Sequence, residues 1–160
     1  VSNIRVGIGH DLHRLQKGDH LLLAGISIPS EYGAIGHSDA DVVLHAVTDA
    51  ILGAASLGDI GRLFPDSDPR YKNADSKLFV TEAMRLARNN GFVIGNVDTT
   101  ISLEKPLLAP YIETMRLELA QILGIPIDRV SIKSKTGEQI GPIGHNRAIA
   151  CETIILLTEH

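Results

Sequence analysis

Apolar and polar positions alternate from the start of the chain: Ile4, Val6 and Ile8 are separated by Arg5, Gly7 and Gly9. A period of two predicts a strand with its Ile/Val face on a core, and it puts Asp11 and His13 together on the opposite face. "HLLLAGISIPS" follows, two short apolar runs about a glycine, and reads as a hairpin. The period then lengthens. Val43, Val47, Ala50 and Ala54 recur at helical spacing behind Ser38 and Asp41, which have the S-x-x-D arrangement of a capping box. A helix started by Ser38 and ending near Gly58 is expected.

Residues 57–75, "LGDIGRLFPDSDPRYKNAD", lose all periodicity, and a loop this long in a compact domain is more often functional than idle. A second helix is predicted over residues 76–90, stopped by Asn90-Gly91, and "FVIGNVDTTISLE" has the β-branched content of a strand. "APYIETMRLELAQILG" predicts a third long helix, closed by Gly124 with Pro126 beyond it. Strands over 130–136 and 148–157 flank the loop "GEQIGPIGHNR". In the last strand Ala148, Ala150, Ile154 and Leu156 face one way, and Ile149, Cys151, Ile155 and Leu157 the other. Both faces need cover, and three helices suffice for one. A second subunit is expected on the other, with Glu152 in need of a partner there. The whole describes one α+β domain over residues 1–160: a single mixed sheet, helices on one face, an interface between subunits on the other.

Composition narrows the function. A net charge of −4 over 160 residues argues against a general nucleic-acid binder. No apolar run approaches the ~20 residues of a membrane helix, and the opening "VSNIRVGIGHDLH" lacks the signal-peptide pattern. The single Cys151 forms no internal disulfide and fits a reducing compartment.

The candidate chemistry lies in two stretches. In "GHDLH", Asp11 and His13 project from one strand face and can converge on one ion. In "HSDADVVLH", His45 is the best third ligand, and Asp41, His45 and Asp49 share one helical stripe. One carboxylate and two imidazoles with an open fourth position is the donor set of a catalytic zinc site, with Asp41 or Asp49 available to orient an imidazole. The second stretch, "KSKTGEQIGPIGH", sends Lys133 and Lys135 to one face and Thr136 to the other, and then turns through glycines. Backbone N–H groups, a hydroxyl and an ammonium suit phosphate, and Glu138 suits a Mg²⁺ that bridges phosphates. Neither a dinucleotide fingerprint, a P-loop, H-E-x-x-H nor a nucleophile elbow is present.

Together "GHDLH", "HSDADVVLHAVTDAILGAASLGDIG", "LFPDSDP", "GNVDTTI" and "IACETIILL" resemble the 2-C-methyl-D-erythritol 2,4-cyclodiphosphate synthase family of the non-mevalonate isoprenoid pathway, over nearly the whole chain. The resemblance implies zinc on Asp11, His13 and His45, and a second divalent ion, Mg²⁺ or Mn²⁺, on Glu138. It assigns Thr136 to the diphosphate, counts Asp49 with the catalytic group, and gives His37 and Ser38 to a substrate phosphate. Asp59, Gly61, Asp66 and Asp68 would grip the methylerythritol, and Leu103, Pro106, Leu107, Leu108, Ala109, Ser134 and Lys135 the cytidine. It further implies a phosphorus–oxygen lyase that is a homotrimer with sites between subunits, acting on a small nucleotide diphosphate in a bacterial cytoplasm or a plastid stroma. This chain departs from many members in having Lys135, Leu107 and His145 where they carry threonine, a basic residue and arginine. Two rival readings are a zinc phosphohydrolase, which would give a linear product, and a trimeric nucleotide-sensing module, which has no use for the Asp/His cluster.

Overall fold

The structure, a computed structural model, describes residues 3–160. In chain order it has strand β1 (Ile4–Lys17), hairpin strands β2 (His20–Leu23) and β3 (Ile26–Pro29), β4 (Tyr32–Ile35) and helix α1 (Val42–Ala54). A short helix α2 (Ile60–Leu63) and α3 (Lys77–Asn89) precede strand β5 (Phe92–Ser102). Helix α4 (Ile112–Leu123), strand β6 (Val130–Lys135), short helix α5 (Gly141–Gly144) and strand β7 (Ala148–Glu159) complete it. Five strands form one mixed sheet in the order β4-β1-β7-β5-β6, and β2 and β3 pair separately. Only β5 and β6 run parallel; the pairs β1–β4, β1–β7 and β5–β7 are antiparallel.

All the long helices lie on one face. α1 packs on β1 and β7, α3 on α1 and β5, and α4 on β6. The core beneath them is aliphatic, with Val43, Val47, Ile51, Val97, Ile101, Ile149, Ile155 and Leu157 fully buried. α3 contributes Phe79, Val80, Ala83 and Ala87, and α4 contributes Met115, Leu119, Ala120 and Leu123, each a stripe at helical spacing. Gly124 closes α4 in the left-handed conformation, φ 65°, as its position predicts.

The expected faces of β1 are reversed. Ile4, Val6 and Ile8 point away from the helices and are 57–66% exposed. The face under α1 is the glycine face: a Cβ built on Gly7 would fall on the Ala50 carbonyl oxygen, and one on Gly9 on that of Ala46. α1 therefore lies in backbone contact with β1, and no larger residue fits there. The expected two-faced character of β7 does hold. Ile149, Cys151, Thr153, Ile155 and Leu157 are buried under the helices, while Ile154 is exposed on the open side beside Ile8.

The start of α1 also differs. Asp41, not Ser38, is its N-cap, accepting the Val43 and Leu44 N–H groups. The same carboxylate accepts from Ala24 and Gly25 at 3.0 and 2.7 Å. Those residues form the β2–β3 turn at φ 52° and 80°, so Asp41 pins a hairpin with two left-handed residues onto the head of α1. Burial raises the Asp41 pKa to about 6 against the pull of those N–H groups. The helix ends at Ala54, short of Gly58. β4, which pairs with the far end of β1, carries no periodic signal in its four residues.

Candidate functional site

The close seating of α1 on the glycines of β1 brings His45 over Asp11 and His13. His13 Nε2 lies 2.8 Å and His45 Nδ1 3.0 Å from the same oxygen, Asp11 Oδ2. The two ring nitrogens are 3.2 Å apart. A tetrahedral ion with bonds of ~2.0–2.1 Å needs donors roughly 3.3 Å apart, so the three atoms stand close to the edges of such a site. His13 Nδ1 lies 3.0 Å from the Ile35 carbonyl oxygen. A carbonyl only accepts, so Nδ1 carries a proton, and Nε2 is the nitrogen left to give its lone pair to an ion in the cluster. The outer nitrogen of His45, Nε2, lies 2.8 Å from Ser76 Oγ and 3.0 Å from Ser38 Oγ. Ser38, displaced from the expected cap, thus bonds to a candidate ligand instead.

Charge follows geometry. Burial raises the Asp11 pKa, but hydrogen bonds and charge from His13 and His45 outweigh it and hold the carboxyl well below the usual range. Burial lowers the His13 pKa, and the Asp11 carboxylate more than reverses that, so the net direction is upward. The cluster is the only group of three or more metal-capable side chains among the described residues.

The cluster opens into a cleft of about 210 Å³ lined by Gly36, His37, Ser38, Ile60, Gly61 and Asp66, with a wall of Phe64, Tyr71 and Phe79. The Phe64 and Phe79 rings pack at a tilt of 36° with centroids 4.6 Å apart, and Tyr71 meets Phe64 edge-on. His37, which lines the cleft, has its Nε2 buried without a hydrogen-bond partner. Asp59 caps α2 through the Arg62 N–H. Asp49 accepts the Ile60 N–H at 2.7 Å and so fixes the cleft's α2 wall rather than an imidazole. Asp41, occupied with the hairpin, orients no imidazole either. Asp68 is turned away into a pair with Arg70 at 2.6 Å.

The remaining expected residues gather elsewhere. Thr136 donates to Glu138 at 3.2 Å, and Glu138 and Gln139 hold left-handed backbone, φ 51° and 60°. Glu104 accepts the Gly137 N–H at 2.9 Å and the Leu103 N–H bonds the Lys135 carbonyl at 2.9 Å, tying segment 103–109 to the end of β6. Leu103 and Leu108 are buried in the core, so only their backbone can meet a ligand. Leu107 is exposed, and with Pro106 it lines a hollow against Pro29–Tyr32. Ser134 and Lys135 end β6, and Ala109 opens the turn before α4.

Strand register relates the two clusters. Asp11 pairs with Cys151, Cys151 with Ile101, and Ile101 with Ser134. Both clusters therefore stand at the same height, but three strand spacings, roughly 14 Å, separate β1 from β6. Within one chain they do not meet. Sequence reasoning missed Ser76 and Asp39, which bond to each other behind His45, and the aromatic wall. Asp39 lies inside "HSDADVVLH", but nothing in the spacing separates it from Asp41.

Residues 4–158 match the model of the YgbB family. A protein of Solibacter usitatus (strain Ellin6076) named 2-C-methyl-D-erythritol 2,4-cyclodiphosphate synthase is 51% identical over 98% of this chain and 99% of its own length. The bifunctional IspDF structure from Campylobacter jejuni matches at a TM-score of 0.95 and 37% identity; the whole of this chain is covered, and it spans 43% of that one. A solved 2C-methyl-D-erythritol-2,4-cyclodiphosphate synthase in a CDP-bound form matches at 0.89 and 39% identity, over 96% of this chain and 99% of the other. With its fold and nearly its whole length shared in this way, the chain belongs to the YgbB family, that of the 2-C-methyl-D-erythritol 2,4-cyclodiphosphate synthases.

Proposed function

We propose that this chain converts 4-diphosphocytidyl-2-C-methyl-D-erythritol 2-phosphate into 2-C-methyl-D-erythritol 2,4-cyclodiphosphate and CMP, as a phosphorus–oxygen lyase. The observation that carries the reading is the convergence of Asp11, His13 and His45 on one point of a cleft that also presents His37 and Ser38. The 2-phosphate oxygen attacks the β-phosphorus, the bond from that phosphorus to the CMP oxygen breaks, and the ring closes. No protein nucleophile is needed, and the work is positioning and charge neutralisation. Asp11, His13 and His45 would hold zinc, which when bound polarises a phosphate oxygen. His37 offers its free ring nitrogen and Ser38 its hydroxyl to phosphate, while Gly61 and Asp66 border the space for the methylerythritol. Thr136 binds the diphosphate, and Glu138 offers one carboxylate to Mg²⁺ or Mn²⁺ shared with the phosphates.

Those last groups would come from a second subunit, because the β6 edge of one chain cannot reach its own Asp11 and His13 on β1, three strands away. A homotrimer meets that demand: a closed ring sets one edge of each chain against the other edge of its neighbour at equal height. The bare Ile4, Val6, Ile8, Leu12 and Ile154 on the open face give the ring its apolar contact. A bacterial cytoplasm or a plastid stroma follows from the same reading. Phosphorus NMR of the protein with the cytidylyl substrate, Zn²⁺ and Mg²⁺ tests it. The expected products are CMP and a cyclic diphosphate; CMP with a linear bisphosphate would make the protein a hydrolase instead.

A further inference from the structure

Ser76 stands at the N-cap of α3 and makes no capping hydrogen bond. A serine there ordinarily accepts from the helix's own N–H groups. Its side chain is instead fully buried between His45 and Asp39. One Asp39 oxygen takes the Ser76 backbone N–H at 2.8 Å, and the other makes a short contact with the Ser76 hydroxyl. This second oxygen also accepts the Asp41 N–H at 3.1 Å. The polarity of the chain is forced. A carboxylate only accepts, so the Ser76 O–H donates to Asp39. Ser76 Oγ then has only lone pairs for His45, so His45 Nε2 must be the donor. With Nε2 committed as the donor, Nδ1, the atom 3.0 Å from Asp11, is the nitrogen whose lone pair is left for an ion between them. Ser38, also at Nε2, makes no hydrogen bond of its own to an acidic acceptor among the described residues, so its hydroxyl proton stays available to a ligand in the cleft.

We propose that Asp39 is a positioning residue for metal binding: through Ser76 it locks His45 in the tautomer whose Nδ1 faces Asp11 and His13. The same residue clamps two loops, since the Asp39 N–H bonds the Ala74 carbonyl at 3.1 Å and the neighbouring His37 carbonyl accepts the Asn73 N–H at 2.9 Å. The loop that carries His37 and Ser38 is thereby held against the head of α3. The inference rests on the reading that Asp11, His13 and His45 bind zinc, and its test separates the two. Zinc titration of the metal-stripped parent comes first; failure to take up one zinc per chain overturns the metal site itself. Asp39→Asn is expected to weaken zinc about 10- to 100-fold, the usual effect of losing an outer partner of a ligand. Ser76→Ala, which deletes one hydroxyl and should fold even where Asp39→Asn does not, is expected to weaken it about 10-fold. In the zinc-loaded parent the His45 Nε2 proton should exchange slowly and appear in proton–nitrogen NMR spectra; in the variants it should be lost to exchange. Parent-like zinc affinity in Ser76→Ala, or an unchanged Nε2 proton signal in it, overturns the inference and leaves the metal site standing.

Discussion

The two faces of β1 are made by alternate residues of one strand and follow opposite rules. Under α1 the strand offers Gly7 and Gly9, and the helix lies on bare backbone. On the open side it offers Ile4, Val6, Ile8 and Leu12, and nothing among the described residues covers them. The covered face thus spends no side-chain volume at its tightest contact, and the exposed face carries the bulk. Such an arrangement is unfavourable for a lone chain, since monomers rarely leave contiguous apolar patches bare. The glycines bring His45 over Asp11 within the chain, and in the proposed trimer the isoleucines would meet another chain.

The sharpest way to break this comparison is Gly9→Ala. One methyl group would collide with the Ala46 carbonyl, a backbone atom that cannot rotate away. The expected loss is more than about 3 kcal/mol, the upper range for overpacking, and α1 would also lift His45 off Asp11 and His13. Thermal melting and zinc content should fall together. Parent-like melting with full zinc would show that the helix is free to slide and that the glycine contact is not what sets the site.

Ile8→Glu tests the other face, with a smaller effect on the chain itself. Ile8 is 66% exposed and pairs across the sheet with Ile154 at the centre of the apolar patch. A carboxylate there stays solvated in a lone chain and is buried unpaired in a ring. If the proposed trimer forms through this face, the expected outcome is a fall from trimer to monomer in light scattering, with turnover lost and zinc uptake kept. A trimer that persists would move the subunit interface to another surface.

Much of this was legible from residue spacing. The period of two in β1 put Asp11 and His13 on one face, and the helical repeat placed His45 in α1. The breaker signals at Asn90-Gly91 and Gly124 ended α3 and α4 where the structure ends them. What spacing could not supply was which face of β1 meets the helices. An apolar stripe is read as core, and glycines are read as weak, unless the partner helix is known to be small as well. Ala46, Ala50 and Ala54 are that partner, three small residues on one side of α1 facing Gly7 and Gly9. The cap of α1 was misplaced for a related reason: Ser38, Asp39 and Asp41 all suit an N-terminus, and only tertiary contacts divide them among ligand support, loop clamp and cap. The separation of the two residue clusters by three strand spacings was equally hidden, because strand order is a property of long-range pairing.

The smallest effect lies in the covered face and measures how dry it is. Thr99 and Thr153 are neighbours across β5 and β7, both fully buried, with hydroxyl oxygens 2.8 Å apart. Each hydroxyl supplies the other's strong partner; among the described residues the only further polar contact is Cys151 Sγ, 3.9 Å from Thr153 and a weak donor. Thr99→Val or Thr153→Val alone strands the remaining hydroxyl in an apolar layer and should cost about 1–2 kcal/mol in denaturant unfolding. The double substitution removes both partners in favour of methyl groups of similar shape, so it should be nearly neutral. The same dryness pushes the Cys151 thiol, one pleat away, up to about 12. If water reached this layer, each lone hydroxyl would find a substitute partner, and the single losses would be small and additive. A strongly non-additive cycle is expected, because α1 lies too close to the sheet to admit a water molecule where the glycines let it down.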